Sequence, residues 1–397
     1  MTRQLELIAT AAFGLEAVVS RELRDLGYTD QKIEDGRITF LGDELAICRC
    51  NLWLRTADRL LVKIGQFPAR DFGEFFNQIE ALPWHDWLPV DARFPVSGKS
   101  VRSQLHHEPT IQSVAKKAIV ESLKRHYQRH WFQESGTEYQ IDVSILKDQA
   151  LLAIDTSGSG LHKRGYRATA GAAPLKETMA AALVLLSYWN RDRPFLDPFC
   201  GSGTIAIEAA MIGRNRAPGL SRSFHCEQWP QISRDQWKQA REEARDRGLG
   251  KPKISLMASD IDDRAVRMAQ ANAIQAGVGS DIEFKTMDAL ELKTSLEYGV
   301  IVTNPPYGER LADDESAADI YDDMADAFEP LKTWSIYVLT SHPRFEQFFR
   351  RPANRRRKLY NGRIECHYYQ YLGPRPPWER TAESAEPFDS QPDDAAS

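Results

Sequence analysis

Four short apolar runs in the second half of the chain each stop at a polar corner, and the first of those corners opens a helix. Pro194-Phe195-Leu196-Asp197 runs into Pro198-Phe199-Cys200-Gly201-Ser202-Gly203-Thr204, and an apolar helical pattern follows to Ala210. Ser255 to Asp260 ends in Asp260-Ile261-Asp262, Ile282 to Asp288 is followed by Ala289, and Val300 to Thr303 stops at Asn304-Pro305-Pro306-Tyr307. Apolar runs of strand length alternating with helical patterns, here Asp263 to Gly277 and Ser233 to Gly248, predict an α/β fold with a mostly parallel sheet.

The Asn-Pro-Pro-Tyr corner suits one kind of chemistry. An exocyclic base amine has its lone pair delocalised into the ring, and the pair must be redirected before it attacks carbon. The Asn304 side-chain oxygen and the Pro305 carbonyl can accept the two N–H bonds while Tyr307 stacks on the ring. Pro305 and Pro306 fix φ, and Pro305 steers Asn304 away from helical geometry, so both acceptors are set before a substrate arrives. The competing reading is a strand followed by a Pro-Pro turn.

The Gly201-Ser202-Gly203 loop lets backbone approach a ligand, and the helix after it offers free N–H groups. It is no phosphate loop, because no Lys-Ser or Lys-Thr pair follows, and it lacks the third glycine of the dinucleotide fingerprint. Asp197 suits a cationic amino group, Asp260 a ribose diol and Asp288 an adenine amine. Asp262 competes for the ribose, against a plain role as helix N-cap. Cys200 invites a catalytic-thiol reading, against that of a small packing residue. The stretch Arg214 to Lys253, with Phe224-His225-Cys226-Glu227-Gln228-Trp229, is longer than a connection requires and reads as a surface insertion.

Composition decides less. A chain of 397 residues is long enough for two or three domains. It shows no long apolar run and no basic-apolar leader, which argues against a membrane span or export signal. Five cysteines without a Cys-x-x-Cys pair fit reduced thiols in a cytoplasm and no bound metal. The formal charge of −5 misleads, because Thr381 to Ser397 holds Glu383, Glu386, Asp389, Asp393 and Asp394 and no base. Without this tail, expected to be disordered, the body is neutral and keeps basic clusters that fit a phosphate backbone. Arg355, Arg356 and Arg357 form one, and Lys116 and Lys117 lie in another.

The N-terminal half predicts two α+β units. In the first, strand Leu5 to Ala9, helix Gly14 to Leu26 and two short strands about Asp35-Gly36 succeed one another. In the second, strand Arg59 to Phe67, helix Phe72 to Ala81, strand Phe94 to Ser97 and helix Thr110 to Arg129 lead to strands near Tyr139 to Leu146 and Ala150 to Thr156. Phe94 to Ser100, followed after His106 and His107 by Ile111-Gln112-Ser113-Val114-Ala115-Lys116-Lys117-Ala118, resembles the THUMP domain, an RNA-binding module. A connector, Gly158 to His162-Lys163-Arg164-Gly165-Tyr166-Arg167, precedes Ala173-Pro174-Leu175-Lys176-Glu177 and reads either as a hinge or as a basic RNA contact.

Taken together these motifs resemble class I S-adenosylmethionine-dependent methyltransferases of the Asn-Pro-Pro-Tyr type joined to a THUMP domain, and specifically the bacterial 23S ribosomal RNA guanine-N2 methyltransferases. The resemblance implies a Rossmann-like domain whose mostly parallel seven-stranded sheet carries an antiparallel edge hairpin, here Lys358 to Tyr368 with an Asn361-Gly362 turn. Ahead of it should stand a ferredoxin-like α+β domain (1–55), a THUMP domain (56–157) and a connector (158–172), with the catalytic domain at 173–378 and an acidic tail at 379–397. The implied catalytic residues are Asn304, Pro305, Pro306 and Tyr307. The S-adenosylmethionine site is implied at Asp197, Pro198, Cys200, Gly201, Ser202, Gly203, Thr204, Asp260, Ile261, Asp262, Asp288, Ala289 and Asn304. RNA contacts are expected from Lys99, Arg102, Lys116, Lys117, His162, Lys163, Arg164, Arg167, Arg355, Arg356 and Arg357. The expected substrate is guanine N2 in 23S ribosomal RNA. Guanine in transfer RNA, an amino group of DNA, and an RNA-binding assembly factor without catalysis are the alternatives.

Overall fold

The computed structural model describes residues 4–167, 175–254, 256–307 and 314–379. The end of the connector, Ala173-Pro174, Ser255 at the head of one expected strand, and the acidic tail lie outside these residues. Two seven-stranded sheets organise the rest.

The first sheet is built from β1 (Leu5–Ala11), β2 (Gln31–Glu34), β3 (Arg37–Gly42), β4 (Ala57–Pro68), β5 (Val96–Val101), β6 (Gln140–Leu146) and β7 (Gln149–Asp155), in the order β2-β3-β1-β4-β7-β6-β5. Helices α1 (Glu16–Asp25), α2 (Glu44–Trp53), α3 (Phe72–Glu80) and α4 (Glu108–Tyr127) accompany it. The long strand β4 pairs with β1 through Leu61↔Ile8 and with β7 through Leu61↔Asp155 and on to Pro68↔Gln149. The two N-terminal α+β units therefore share one hydrogen-bonded sheet and one apolar core, from Leu7 and Phe40 through Phe75 to Ile119 and Val143. His107 caps α4 by accepting from the Thr110 N–H at 3.3 Å.

α5 (Glu177–Leu186) opens the second body, followed by β8 (Phe195–Asp197), α6 (Thr204–Gly213), α7 (Arg234–Asp246), β9 (Leu256–Asp260), α8 (Asp263–Gln275), β10 (Ile282–Thr286), β11 (Val300–Thr303), α9 (Asp314–Phe328), β12 (Ser335–Thr340), β13 (Arg355–Asn361) and β14 (Ile364–Tyr371). The order is β10-β9-β8-β11-β12-β14-β13, parallel except for β14, which runs antiparallel to β12 and to β13. The edge hairpin turns at Asn361-Gly362, where Gly362 has φ +66°. This is the Rossmann-like methyltransferase fold, its acidic strand ends and the Asn304 corner lying at the carboxyl ends of the adjacent strands β10, β9, β8 and β11.

The stretch Arg214 to Lys253 corrects one expectation. Phe224, Cys226, Trp229 and Trp237 are all buried in the N-terminal core, and the surface-insertion reading fails. The Trp229 ring stacks on Tyr139 at 4.6 Å, its indole N–H donates to the Glu138 carbonyl at 3.1 Å, and Glu243 of α7 holds Arg49 of α2 through two 2.7 Å bonds. Burial of this many aromatic rings joins the two bodies by hydrophobic contact. Among the described residues no helix is long and apolar enough to cross a membrane.

Candidate active site

The Gly loop is fixed from both sides. Gly201 and Gly203 have φ of +51° and +79°, a region that L side chains rarely adopt. A Cβ on Gly203 would also meet the Ala269 Cβ of α8 at 2.8 Å, whereas one on Gly201 would face open space. Gly203 thus lets the loop lie against α8, and Gly201 leaves room for a ligand. Asp260 Oδ2 accepts from the Gly201 N–H at 2.9 Å, Asn272 of α8 donates to the Ser202 carbonyl at 3.0 Å, and the Cys200 N–H donates to the Ser259 carbonyl at 2.9 Å.

Asp197 is 1% exposed. One carboxylate oxygen accepts from the Thr303 hydroxyl at 2.8 Å and the Phe199 N–H at 3.3 Å, while the other is buried without a partner among the described residues. Burial pushes this carboxyl up to about 7, against the pull of those two donors. An orphaned buried oxygen is costly unless something arrives to meet it, and a ligand's cationic amine is the group that does.

The acids of the next strands are placed differently. Asp260 closes β9, and its Oδ1 accepts from the Asp262 N–H at 3.0 Å. Asp262 caps α8 by accepting from the Arg264 N–H at 2.8 Å, the alternative role foreseen for it. Ile261 between them is 72% exposed. Asp288 Oδ1 takes the Leu290 N–H at 3.0 Å, with Ala289 buried beside it. Pro198 and Thr204 are buried. Cys200 is buried too, and burial beside Asp197 and Asp260 drives its thiol upward, which fits a small packing residue better than a nucleophile.

The Asn304 side-chain oxygen is likewise buried with no hydrogen-bond partner among the described residues. Pro305 is buried, and the Pro306 carbonyl accepts from the Tyr321 hydroxyl at 3.2 Å, whose ring comes from α9. Tyr307 is only 5% exposed, and its hydroxyl accepts from the Asn361 amide at 3.2 Å with the Cys366 sulfur at 3.7 Å. The corner is thereby tied to the β13–β14 turn, a contact no sequence spacing announces. The site offers an acceptor for a neutral amine and a carboxylate for a cationic one on neighbouring strands β11 and β8.

The basic residues separate into two groups. Lys99, Arg102, Lys117, Lys163, Arg355 and Arg356 are exposed. Arg356 also reaches Glu346 at 3.3 Å, and Arg357 is half-buried with a bond to the Gly14 carbonyl at 3.3 Å. Lys116 instead holds the Phe94 carbonyl at 2.9 Å and Glu134 at 2.7 Å, with its ammonium 3.5 Å from the Phe94 ring centroid. Arg164 is 2% exposed and bonded to Glu208 and to the Arg55 and Leu161 carbonyls. With no surface to offer a phosphate, it locks the connector to α6. Arg167 donates to Thr204 at 2.7 Å and to the Leu175 carbonyl at 3.0 Å. His162 is half-buried, and burial with Lys176 nearby pushes it down to about 4, which leaves it neutral.

Fold and site together define a class I methyltransferase domain carried on an N-terminal RNA-binding module. The family models agree: "RMKL-like, methyltransferase domain" matches residues 164–370, "RlmL ferredoxin-like domain" residues 6–61 and "THUMP domain" residues 69–155. The chain belongs to this family of THUMP-containing, RMKL-like methyltransferases. The "Putative RNA methyltransferase YpsC" of Bacillus subtilis (strain 168) is 51% identical over 385 residues, 96% of this chain and 100% of that one. A crystal structure titled as a predicted N6-adenine-specific DNA methylase from Listeria monocytogenes str. 4b F2365 is 49% identical with a TM-score of 0.90, covering 94% of this chain and 97% of that chain. The crystal structure of "SMU.472, a putative methyltransferase complexed with SAH" is 46% identical with a TM-score of 0.90, covering 94% of this chain and 100% of that chain. The methyl donor of such a domain is S-adenosylmethionine, and the orphaned Asp197 oxygen and open Gly201 face fit it.

Proposed function

We propose that this protein transfers a methyl group to the exocyclic N2 of a guanine in 23S ribosomal RNA. The observation that carries the amine reading is the buried, unpartnered Asn304 side-chain oxygen at the end of β11, beside the similarly orphaned Asp197 oxygen on β8. Bound S-adenosylmethionine supplies an electrophilic methyl group. Asp197 holds its ammonium, Asp260 the ribose hydroxyls and Asp288 the adenine amine, with Ile261 against the ring and Gly201 to Thr204 along the methionine end.

Asn304 and the Pro305 carbonyl accept the two N–H bonds of the target amine, which pyramidalises it and frees its lone pair. As the new C–N bond forms and the C–S bond breaks, the amine proton leaves through those acceptors to water. No strong base is needed, because the proton becomes acidic only as the bond forms. The base must leave its stack to reach a corner this deep. The THUMP match and the exposed Lys99, Arg102, Lys117 and Lys163 support RNA as the substrate, and YpsC's name agrees. Five buried free cysteines support action in the cytoplasm.

Labelled S-adenosylmethionine incubated with separate ribosomal RNA, transfer RNA and DNA pools, followed by mass spectrometry of the nucleosides, tests the assignment. Label in N2-methylguanosine from 23S RNA is expected. Label in N6-methyladenine from DNA, the activity for which the Listeria protein is named, would replace it, and label only in transfer RNA would move the substrate while keeping the chemistry.

A further inference from the structure

The N-terminal domain reaches the catalytic corner. A cleft of about 400 Å³ opens where the turn after β1 meets the β13–β14 turn, lined by Phe13, Asp58, Lys176, Tyr360 and Asn361. Its volume falls in the range of small-ligand sites. Phe13 is 54% exposed, and its ring stands edge-on to Tyr360 with centroids 5.8 Å apart. Resting on the RNA reading above, we propose that this cleft is a stacking site for one unpaired RNA nucleotide adjacent to the methylated one, with Phe13 as its platform.

Three observations favour that occupant. First, the platform is stiff. Gly14 has φ +87° and a Cβ there would meet the Lys358 carbonyl at 2.8 Å, its N–H donates to Glu16 at 2.8 Å, and its carbonyl accepts from Arg357 at 3.3 Å. An exposed aromatic ring on backbone fixed at the next residue presents a π-face at little entropic cost, as base-stacking sites do. Second, the cleft abuts the chemistry, since Asn361 in its wall donates to the Tyr307 hydroxyl at 3.2 Å. On this proposal a strand with one base flipped to Asn304 carries its neighbour towards Phe13. Third, Asp58 and Lys176 also line a second cleft of about 600 Å³, which runs to Lys99 and Gln140 and also carries Glu138, Asp142 and Asp155, the last paired with Arg59. Its mixed acids and bases suit hydrogen bonding to the polar edge of a base, to which Asp58 offers a carboxylate.

The test compares full-length wild type with Phe13→Ala, Phe13→Leu and Phe13→Trp. The readouts are methyl transfer to ribosomal RNA transcribed in vitro, affinity for a short fluorescein-labelled single-stranded RNA, and calorimetric binding of S-adenosylhomocysteine. The Ala and Leu variants should each lose about tenfold in RNA affinity and in kcat/KM, through KM, while the Trp variant retains both and cofactor binding stays put. If Leu serves as well as Trp, Phe13 merely packs and the stacking site is wrong. Tyr360→Leu gives a second, independent reading should Phe13→Ala melt early, and the same loss is expected of it. An indifferent Phe13→Ala variant of an enzyme that methylates RNA overturns the stacking site alone. A wild type that methylates no RNA overturns the RNA reading as well.

Discussion

Cofactor affinity should fall as pH drops through 7, and Asp197 sets the size of the fall. Burial raises its carboxyl from an ordinary 3.8 to about 7. A bound ammonium needs the carboxylate, so below that value binding must first expel a proton. Each further pH unit then weakens the dissociation constant up to about tenfold, or ~1.4 kcal/mol. Between pH 8 and pH 6 the expected loss is roughly tenfold, with up to one proton released per ligand at the lower pH. The stability sign is the reverse of the usual carboxylate case. A raised folded value means that the free enzyme is penalised as pH rises from about 4 to 7, by up to about 4 kcal/mol once both states are ionised. Asp197→Asn removes the titration while keeping the Thr303 donor's partner. At pH 8 the free variant should melt at a higher temperature than free wild type, bind S-adenosylhomocysteine more weakly, and show no pH dependence in the window. Isothermal titration at pH 6, 7 and 8 in two buffers of different ionisation enthalpy counts the protons, and thermal melts give the stability arm. A wild-type dissociation constant that is flat from pH 8 to 6, with no proton released, would refute the reasoning.

Three further outcomes follow from the same geometry. Asn304→Ala should lose at least about a hundredfold in kcat with cofactor affinity intact, and single-turnover methylation beside a binding titration separates the two. Gly203→Ala should fold less stably by about 1–3 kcal/mol and bind cofactor poorly, because the added Cβ meets Ala269 at 2.8 Å; Gly201→Ala meets no such neighbour and should cost the fold less. Trp229→Ala removes a buried ring from between Tyr139 and Trp87 and should cost about 3–5 kcal/mol in denaturant unfolding, from a segment that lies outside both N-terminal domain matches.

What could be read from the residues was the chemistry that local order writes down. Asp197, the Gly loop and the Asn304 corner are each short, because strand ends at one edge of a sheet need only a few residues to present a group. Less legible were features whose meaning depends on a distant partner. Helix α2 carries no apolar stripe: Ala46, Ile47, Cys48, Cys50 and Leu52 are buried on several sides because α7 covers what the first sheet does not. The stretch bearing α7 read as surface for the same reason, its aromatics having no visible destination until Tyr139 and Trp87 meet them. Arg164 sits in a run of His162, Lys163 and Arg167 that looks like a basic face. The signal against that was a lone acid, Glu208, inside the otherwise apolar helix pattern Thr204 to Ala210. A buried carboxylate there had to have a cation, and the connector supplies it.

That buried pair also bears on how RNA docking and methyl transfer are joined. Glu208 lies one turn beyond Thr204, the residue at which the Gly loop becomes α6. Its carboxylate accepts from Arg164 at 3.3 Å and from the Tyr166 hydroxyl at 3.1 Å, and Arg164 in turn holds the Arg55 carbonyl just ahead of β4. Arg167 ties the same connector to Thr204 at 2.7 Å. A charge pair this deep adds little net stability over an apolar replacement, but removing one member strands the other, so its geometry is enforced. The strand that both N-terminal units share is thereby fixed to the first turn of the helix that follows the Gly loop. An RNA held on the first sheet consequently meets the catalytic corner in a set register, without requiring a flexible hinge to find it.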